Sequence, residues 1–257
     1  MSSHTHKERT RHAFTTQADS YANSVIVAAE ESRRRFVECV APRAADRVLD
    51  VATGPGFLAL LFAEQVLEVV GIDLTPAMLA RAEANRVQRG LANVSFNEGD
   101  AEALPFPDAS FDIATCGSAF HHFSDPRRVL HEMVRVTKRG GVVALSDIIT
   151  SEHADQAIVH NRLEHWRDPS HVRSLPVSEL VALCGQAGLR DIRTTTYGTP
   201  RELEEWFAIS KTPPEVAERV RAAFIASIPN DGTGLKVHME GERICFTHTF
   251  AWVVGVR

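Results

Sequence analysis

The chain is 257 residues long, 44% hydrophobic and 24% charged, with a formal net charge of -5. A chain of this size buries one substantial core with room for a small accessory region, so one main domain is expected and two equal ones are not. The acidic balance, with no basic stripe beyond Arg33 to Arg35, argues against nucleic acid and for a small-molecule partner.

The opening MSSHTHKERTRHAF is charged and His-rich where a secretory signal needs apolar residues, and no run reaches the ~18 apolar residues of a membrane span. A cytoplasmic chain with no membrane span is expected. The scattered Cys39, Cys116, Cys184 and Cys245 form no C-x-x-C pair and read as reduced, mostly buried thiols. His4, His6 and His12 are expected on a frayed terminus, and a helix is expected over residues 20 to 40. From Arg47 to about Ile149 short β-branched runs alternate with helical stretches, the rhythm of βαβ units and a parallel sheet. Strands are expected at 47–52, 68–74, 94–100, 111–117 and 140–149, with helices at 56–66, 75–90 and 125–137. The second helix has Thr75 as N-cap, Pro76 at its first position and Gly90 as its stop. Beyond Thr150 two helices flank the turn-rich RDPSHVRSLP, a strand follows at 189–197, then two more helices and a last strand from Ile244.

Residues 48 to 59 read VLDVATGPGFLA, and Gly54, Gly56 and Ala59 satisfy the G-x-G-x-x-A pattern of a dinucleotide-binding turn. Such a turn lets a backbone approach its ligand closely. Asp50 at the strand end would repel a diphosphate but attract the ammonium of an amino acid, and Pro55 removes one N–H that a phosphate cradle would use. Asp73, ending the next strand, suits ribose hydroxyls of either ligand. Asp100, in GDAEALPF, is placed to accept from an adenine amino group, with the Ala101 or Glu102 backbone at the ring nitrogens.

LDVATGPGFLA, VVGIDLTPAML, GDAEALPFPDASFDIATC and SAFHHFSDPRRVLHEMVRVTKRGGVVALSD together resemble, in order across residues 46 to 149, a class I S-adenosylmethionine-dependent methyltransferase. They are similar to the group of ubiquinone and menaquinone biosynthesis C-methyltransferases, the methyltransferase type 11-like enzymes. Ala52 stands where many class I enzymes have the first glycine of D-x-G-x-G-x-G, a replacement expected to be tolerated. The resemblance implies an α/β, Rossmann-like class I methyltransferase fold. Its sheet would have seven mostly parallel strands, the last one antiparallel, with helices on both faces and a helical cap. Residues 1–45 would form an N-terminal helical cap segment and 46–150 the S-adenosylmethionine-binding core. Residues 151–257 would be the rest of the same domain, with substrate-side helical insertions and the last two strands.

The resemblance also assigns roles. Asp50, Ala52, Thr53, Gly54 and Gly56 would face the methionine part of S-adenosyl-L-methionine, and Asp73 would hold the ribose. Leu74 and Met78 would pack on the adenine, with Asp100, Ala101 and Glu102 at its edge. Ser118 would lie near the methionine portion, and Tyr21, in FTTQADSY, would close over the cofactor. Methyl transfer needs alignment and exclusion of water, and a base only where the acceptor must lose a proton. His121 and His122 follow the fourth strand at the binding edge and are base candidates, or histidines that simply bond backbone. His171 is a third, with Asp168 and Arg173 to orient it, unless the segment is a capped turn with Arg173 paired to an acid. No metal is expected, since His160 and His165 are five apart where a helix would want four. Trp166, Trp206, Phe207 and Phe224 line an apolar acceptor pocket or, more ordinarily, form core.

The expected activity is transfer of a methyl group to an O or C atom of a small aromatic, quinol or polyketide-like acceptor. The rivals are a protein of this fold that binds the cofactor but catalyses a non-methylating reaction such as cyclisation, and a nicotinamide oxidoreductase supported only by the glycine pattern. Self-association as a homodimer stays open.

Overall fold

In the computed structural model the described residues are 3–24 and 26–257, with side chains described for 6–16 and 30–257. Two helices, α1 (Ser3–Ser24) and α2 (Ile26–Val40), precede the first strand. The alternating segment then gives β1 (Arg47–Val51), α3 (Phe57–Ala63), β2 (Glu68–Asp73), α4 (Pro76–Arg89), β3 (Val94–Glu98) and β4 (Phe111–Gly117). A 3-10 turn at Phe120–His122 leads to α5 (Pro126–Val136) and β5 (Thr137–Thr150). After these come α6 (Ala154–Arg167), a two-residue β6 (Leu175–Pro176), α7 (Val177–Gln186), β7 (Arg190–Glu202), α8 (Leu203–Ser210), α9 (Pro214–Ser227), β8 (His238–Glu240) and β9 (Arg243–Val256).

The strands form one sheet in the order β3-β2-β1-β4-β5-β9-β7, with β6 beside β5 and β8 beside β9. β1 to β5 run parallel, and β9 is antiparallel to both β5 and β7. The seven-stranded main path is the one expected; the short β6 and β8 are additions that the sequence pattern does not announce. The strand order reverses between β1 and β4, and that reversal opens a crevice beyond the strands' C-terminal ends, where α/β sheets bind ligands.

Each face of the sheet is covered. On one side Leu49 and Val51 of β1 meet Leu130 and Met133 of α5 and Leu180 and Leu183 of α7; on the other Val48 meets Phe36 of α2 and Leu60 and Phe62 of α3. This is the two-residue alternation of a strand buried on both faces. α5 presents Val129, Leu130, Met133 and Val136 at helical spacing, and the Asp125 side chain caps it by accepting from the Arg128 N–H at 3.0 Å. Truncating fully buried Leu130 to alanine would cost about 2–5 kcal/mol. Thr75, Pro76 and Gly90 bound α4 as expected, although the Thr75 hydroxyl makes no cap bond.

A third core lies apart from these two, where Trp206, Phe207 and Phe224 of α8 and α9 pack with Phe246 of β9, and Trp166 rests against it. These aromatics are core, and none of them lines the large cavity. The four cysteines are free, three of them buried. No helix among the described residues is long and apolar enough to cross a membrane.

The stretch of His4, His6 and His12 differs most from expectation. It is helical within α1, which lies against α4 and α8. Long-range polar contacts hold it: Lys7 Nζ to Asp100 Oδ2 at 2.7 Å and to Glu102 Oε2 at 2.5 Å, and His6 Nε2 donating to the His122 carbonyl at 2.9 Å. Arg11 adds bonds to the Leu74 carbonyl and to Glu98.

Candidate active site

The crevice between β1 and β4 deepens into a cavity enclosing about 1250 Å³, its mouth included. Its walls come from the ends of β1, β2 and β4, the segments after β2 and β3, and α1, α2 and the start of α4. Asp50, Ala52, Thr53, Gly54, Asp73, Leu74, Met78, Asp100, Ala101, Glu102, Ser118 and His122 all line it. Tyr21 lies outside the described side chains.

Gly56 does not line the cavity. It opens α3 at φ 78°, and a Cβ there would sit 2.8 Å from the Phe96 ring and 3.0 Å from the Ala82 Cβ. Its lack of a side chain lets α3 pack closely on the sheet, a structural need rather than a ligand contact. Ala52 adopts φ 55°, left-handed backbone that costs an alanine about 1–2 kcal/mol. This explains why glycine is the usual residue there, and alanine is accommodated at a cost.

The turn is fixed from within. Thr53 Oγ1 donates to Asp50 Oδ2 at 2.6 Å, while the Gly54 and Thr75 N–H groups donate to Asp73 Oδ2 and Oδ1, each at 2.8 Å. Asp50 is 1% exposed, and its Oδ1 is buried with no hydrogen-bond partner. Burial pushes its carboxyl up to about 7, against the opposing bonds from Thr53 and the Ala59 N–H. A buried carboxylate oxygen without a partner is costly unless a donor arrives, and at a residue that lines the cavity a cationic donor fits best. Burial also raises Asp73, though the backbone donors at Thr75 and Gly54 work against the shift. Asp100 Oδ1 accepts from the Glu102 N–H at 2.9 Å.

The three histidine candidates separate. His121 is buried, with its ring Nδ1 2.6 Å from Asp147 Oδ1 and its backbone N–H donating to Asp147 Oδ2 at 2.8 Å. Burial alone would lower its pKa, but the Asp147 charge and hydrogen bond hold it above the ordinary value. His121 is not among the lining residues. His171 is 2% exposed and also absent from the cavity wall; its Nε2 donates to Asn161 Oδ1 at 2.9 Å, and burial drives its pKa to about 2. The structure therefore removes His171 from the reaction zone, and Arg173 pairs with Glu179 instead of orienting it.

His122 alone of the three reaches the cavity. Its Nδ1 lies 3.1 Å from the Ser170 carbonyl and 3.2 Å from Ser170 Oγ, and no hydrogen-bond partner among the described residues falls on its Nε2. Burial and the charge of His121 hold its pKa well below the usual imidazole value, so the ring is neutral near pH 7. The DPSHVR segment folds back onto the 3-10 turn: the Val172 and Arg173 N–H groups donate to the His121 carbonyl at 3.0 and 3.1 Å.

His160 does not pair with His165. The fold joins it instead to Glu164, one helical turn on, and to His248 of β9, with the His248 Nε2 3.0 Å from Glu164 Oε1. The other carboxylate oxygen holds Arg167 at 3.1 Å, so Glu164 is balanced by protein groups within a buried ion network. Lys7, His6, Thr10 and Phe14 complete the cavity wall. No spacing rule could have placed these α1 residues, and a cationic helix opposite the acidic GDAE segment was the available signal.

A cavity at the sheet's reversal point, with a carboxylate at each of two adjacent strand ends and a buried acceptor left for a cation, defines an adenosine-cofactor enzyme of the class I methyltransferase fold. Residues 49–145 match the family model for a methyltransferase domain. The chain is 36% identical to the uncharacterized methyltransferase YcgJ of Bacillus subtilis over 209 residues, 80% of this chain and 82% of that one. The crystal structure of YcgJ matches with a TM-score of 0.84 at 32% identity, covering 88% of this chain and 98% of that one. The demethylmenaquinone methyltransferase of Thermus thermophilus is 47% identical over 111 residues, 42% of this chain but only 50% of that protein. The chain belongs to the methyltransferase-domain family and is an S-adenosylmethionine-dependent methyltransferase.

Proposed function

We propose that the enzyme methylates an oxygen or an acidic ring carbon of a small aromatic or quinol acceptor, with His122 as the proton acceptor. The observation that carries this reading is His122 itself: a neutral imidazole at the cavity wall beside Ser118 and Ala119, with Nδ1 engaged and Nε2 without a partner among the described residues. The quinol class is supported by likeness to the demethylmenaquinone enzyme, which matches over 111 residues, 42% of this chain.

Bound S-adenosylmethionine supplies a methyl carbon already activated for in-line displacement by its sulfonium. Asp50 would take the ammonium of the methionine part. Asp73 would accept from the ribose hydroxyls through the lone pairs left by Gly54 and Thr75. Leu74 and Met78 would pack on the adenine, with the segment of Asp100, Ala101 and Glu102 at its edge. With the cofactor supplying an activated methyl group, His122 would take the acceptor's proton at Nε2. Phe14, Phe36 and Phe123 wall the cavity near this end and keep water from the reacting atoms.

The test is incubation with methyl-labelled cofactor and a panel of phenols and quinols, with mass analysis of the products. A labelled acceptor whose formation falls about 10²-fold or more in His122→Gln, with cofactor affinity kept, supports the reading. Tight cofactor binding with no methylated product from any member of the panel supports the rival that binds the cofactor without methylating.

A further inference from the structure

We infer that Asp168 and Ser170 are positioning residues that fix the tautomer of His122 and balance its charge when it takes a proton. The inference rests on the assignment of His122 above, and it comes from the hydrogen-bond geometry of the RDPSH segment.

Asp168 is 4% exposed at the C-terminal end of α6, and its Oδ1 accepts twice from Ser170, from the backbone N–H at 2.9 Å and from the hydroxyl at 2.6 Å. A carboxylate only accepts, so the single proton of the Ser170 hydroxyl is committed to Asp168. The hydroxyl oxygen, 3.2 Å from His122 Nδ1, can then only accept from it. The Ser170 carbonyl, 3.1 Å from the same nitrogen, is likewise an acceptor. Both contacts demand a proton on Nδ1, and a neutral ring with its proton there carries the lone pair on Nε2, the nitrogen without a partner among the described residues.

The same chain of bonds serves the protonated state. When Nε2 gains a proton, the cation keeps both Nδ1–H contacts to Ser170, and the Asp168 carboxylate lies one hydroxyl away. No proton passes beyond His122, and Asp168 stays ionised throughout. Arg167, next in sequence, turns to Glu164 and leaves this oxygen of Asp168 to Ser170. The neighbouring His121 does not substitute, because it does not line the cavity.

The experiment uses the full chain labelled with ¹⁵N-histidine, with His122 assigned by loss of its signals in His122→Gln. Long-range proton–nitrogen spectra near pH 7 distinguish the tautomers without any acceptor. The expected result is a pyrrole-type Nδ1 and a pyridine-type Nε2 in the wild type. In Asp168→Ala the freed Ser170 hydroxyl turns toward Nδ1, so a sizeable Nε2–H fraction is expected and the His122 titration moves to lower pH. Ser170→Ala keeps the carbonyl contact and is expected to retain the Nδ1–H form. A wild-type ring protonated on Nε2 overturns the inference, which keeps it testable even if Asp168→Ala does not fold. An unchanged tautomer and titration in folded Asp168→Ala also overturn it. Once an acceptor is in hand, Asp168→Ala is expected to lower kcat about 10-fold or more with KM for the cofactor nearly unchanged. Full turnover in His122→Gln would defeat the base assignment while leaving the tautomer result standing, so the two failures are distinguishable.

Discussion

Replacing Asp50 with asparagine separates stability from cofactor binding. In the ligand-free chain the carboxyl ionises near 7, against 3.8 for an unperturbed aspartate, chiefly because it is buried. Between those two pH values the unfolded chain has lost a proton that the folded chain retains, so stability falls as pH rises, by about 1.4 kcal/mol per pH unit. The loss reaches about 4 kcal/mol and levels off above pH 7. Even a quarter of it, ~1 kcal/mol, moves the midpoint by roughly 2–4 °C in a chain of this size. Asparagine still accepts from Thr53 and carries no charge, so ligand-free Asp50→Asn is expected to melt higher than the wild type, by a margin that widens from about pH 5 to about pH 8. The same change removes the partner of the ammonium and is expected to weaken S-adenosylhomocysteine binding about 10- to 100-fold, the worth of one charged hydrogen bond. Thermal melts across that pH range and calorimetric titration near pH 8 measure both effects. A variant less stable than the wild type near pH 8, or a margin that stays constant with pH, refutes the reasoning.

Gly56→Ala is expected to destabilise the protein by about 2–4 kcal/mol in denaturant titration, because the new Cβ strikes Phe96 at 2.8 Å on a backbone with φ 78°. Four residues earlier, Ala52→Gly is expected to raise stability by about 0.5–1 kcal/mol, since it relieves φ 55° at the cost of a freer unfolded chain. Asp147→Asn breaks the buried pair with His121 and is expected to cost about 3 kcal/mol in a thermal melt near pH 6. Because the pKa of His121 is raised, the stabilisation by this pair is fully present below pH 6.5 and fades as pH rises through the folded value, so the variant and the wild type should converge in alkaline buffer.

Much of the cofactor half was legible because its determinants are local. A carboxylate at a strand end, a glycine with positive φ and a Thr-Pro helix start each act within a few residues, and the alternating pattern fixes which strands lie side by side. The histidines show where this stops. Adjacent in sequence, His121 and His122 shift in opposite directions: the charge of Asp147, 26 residues on, raises the first, while burial and the charge of His121 lower the second, whose Nδ1 meets Ser170 48 residues on. His171 looked equivalent but is buried against Asn161 of the preceding helix. Gly56 matched the motif but serves Phe96, forty residues on, and the spacing of His160 and His165 concealed a partnership with His248 from the last strand. Charge placed α1 near the site only in retrospect, since the acids that Lys7 finds lie about ninety residues away.

The position of β9 between β5 and β7 also governs how the sheet can be assembled. β7 bonds only to β9, which follows it by some forty residues, so on the way to the native state β7 must wait as an unpaired ribbon while its neighbour is still missing. Strands in that condition invite pairing with other chains. Here the waiting strand carries Arg190, Arg193, Arg201, three successive threonines and Pro200, and most of its side chains stay solvent-facing even in the finished sheet. Its polarity protects the growing chain against aggregation during the interval before β9 docks, and charge-neutralising changes along it would show first as poor refolding yield rather than as lost activity.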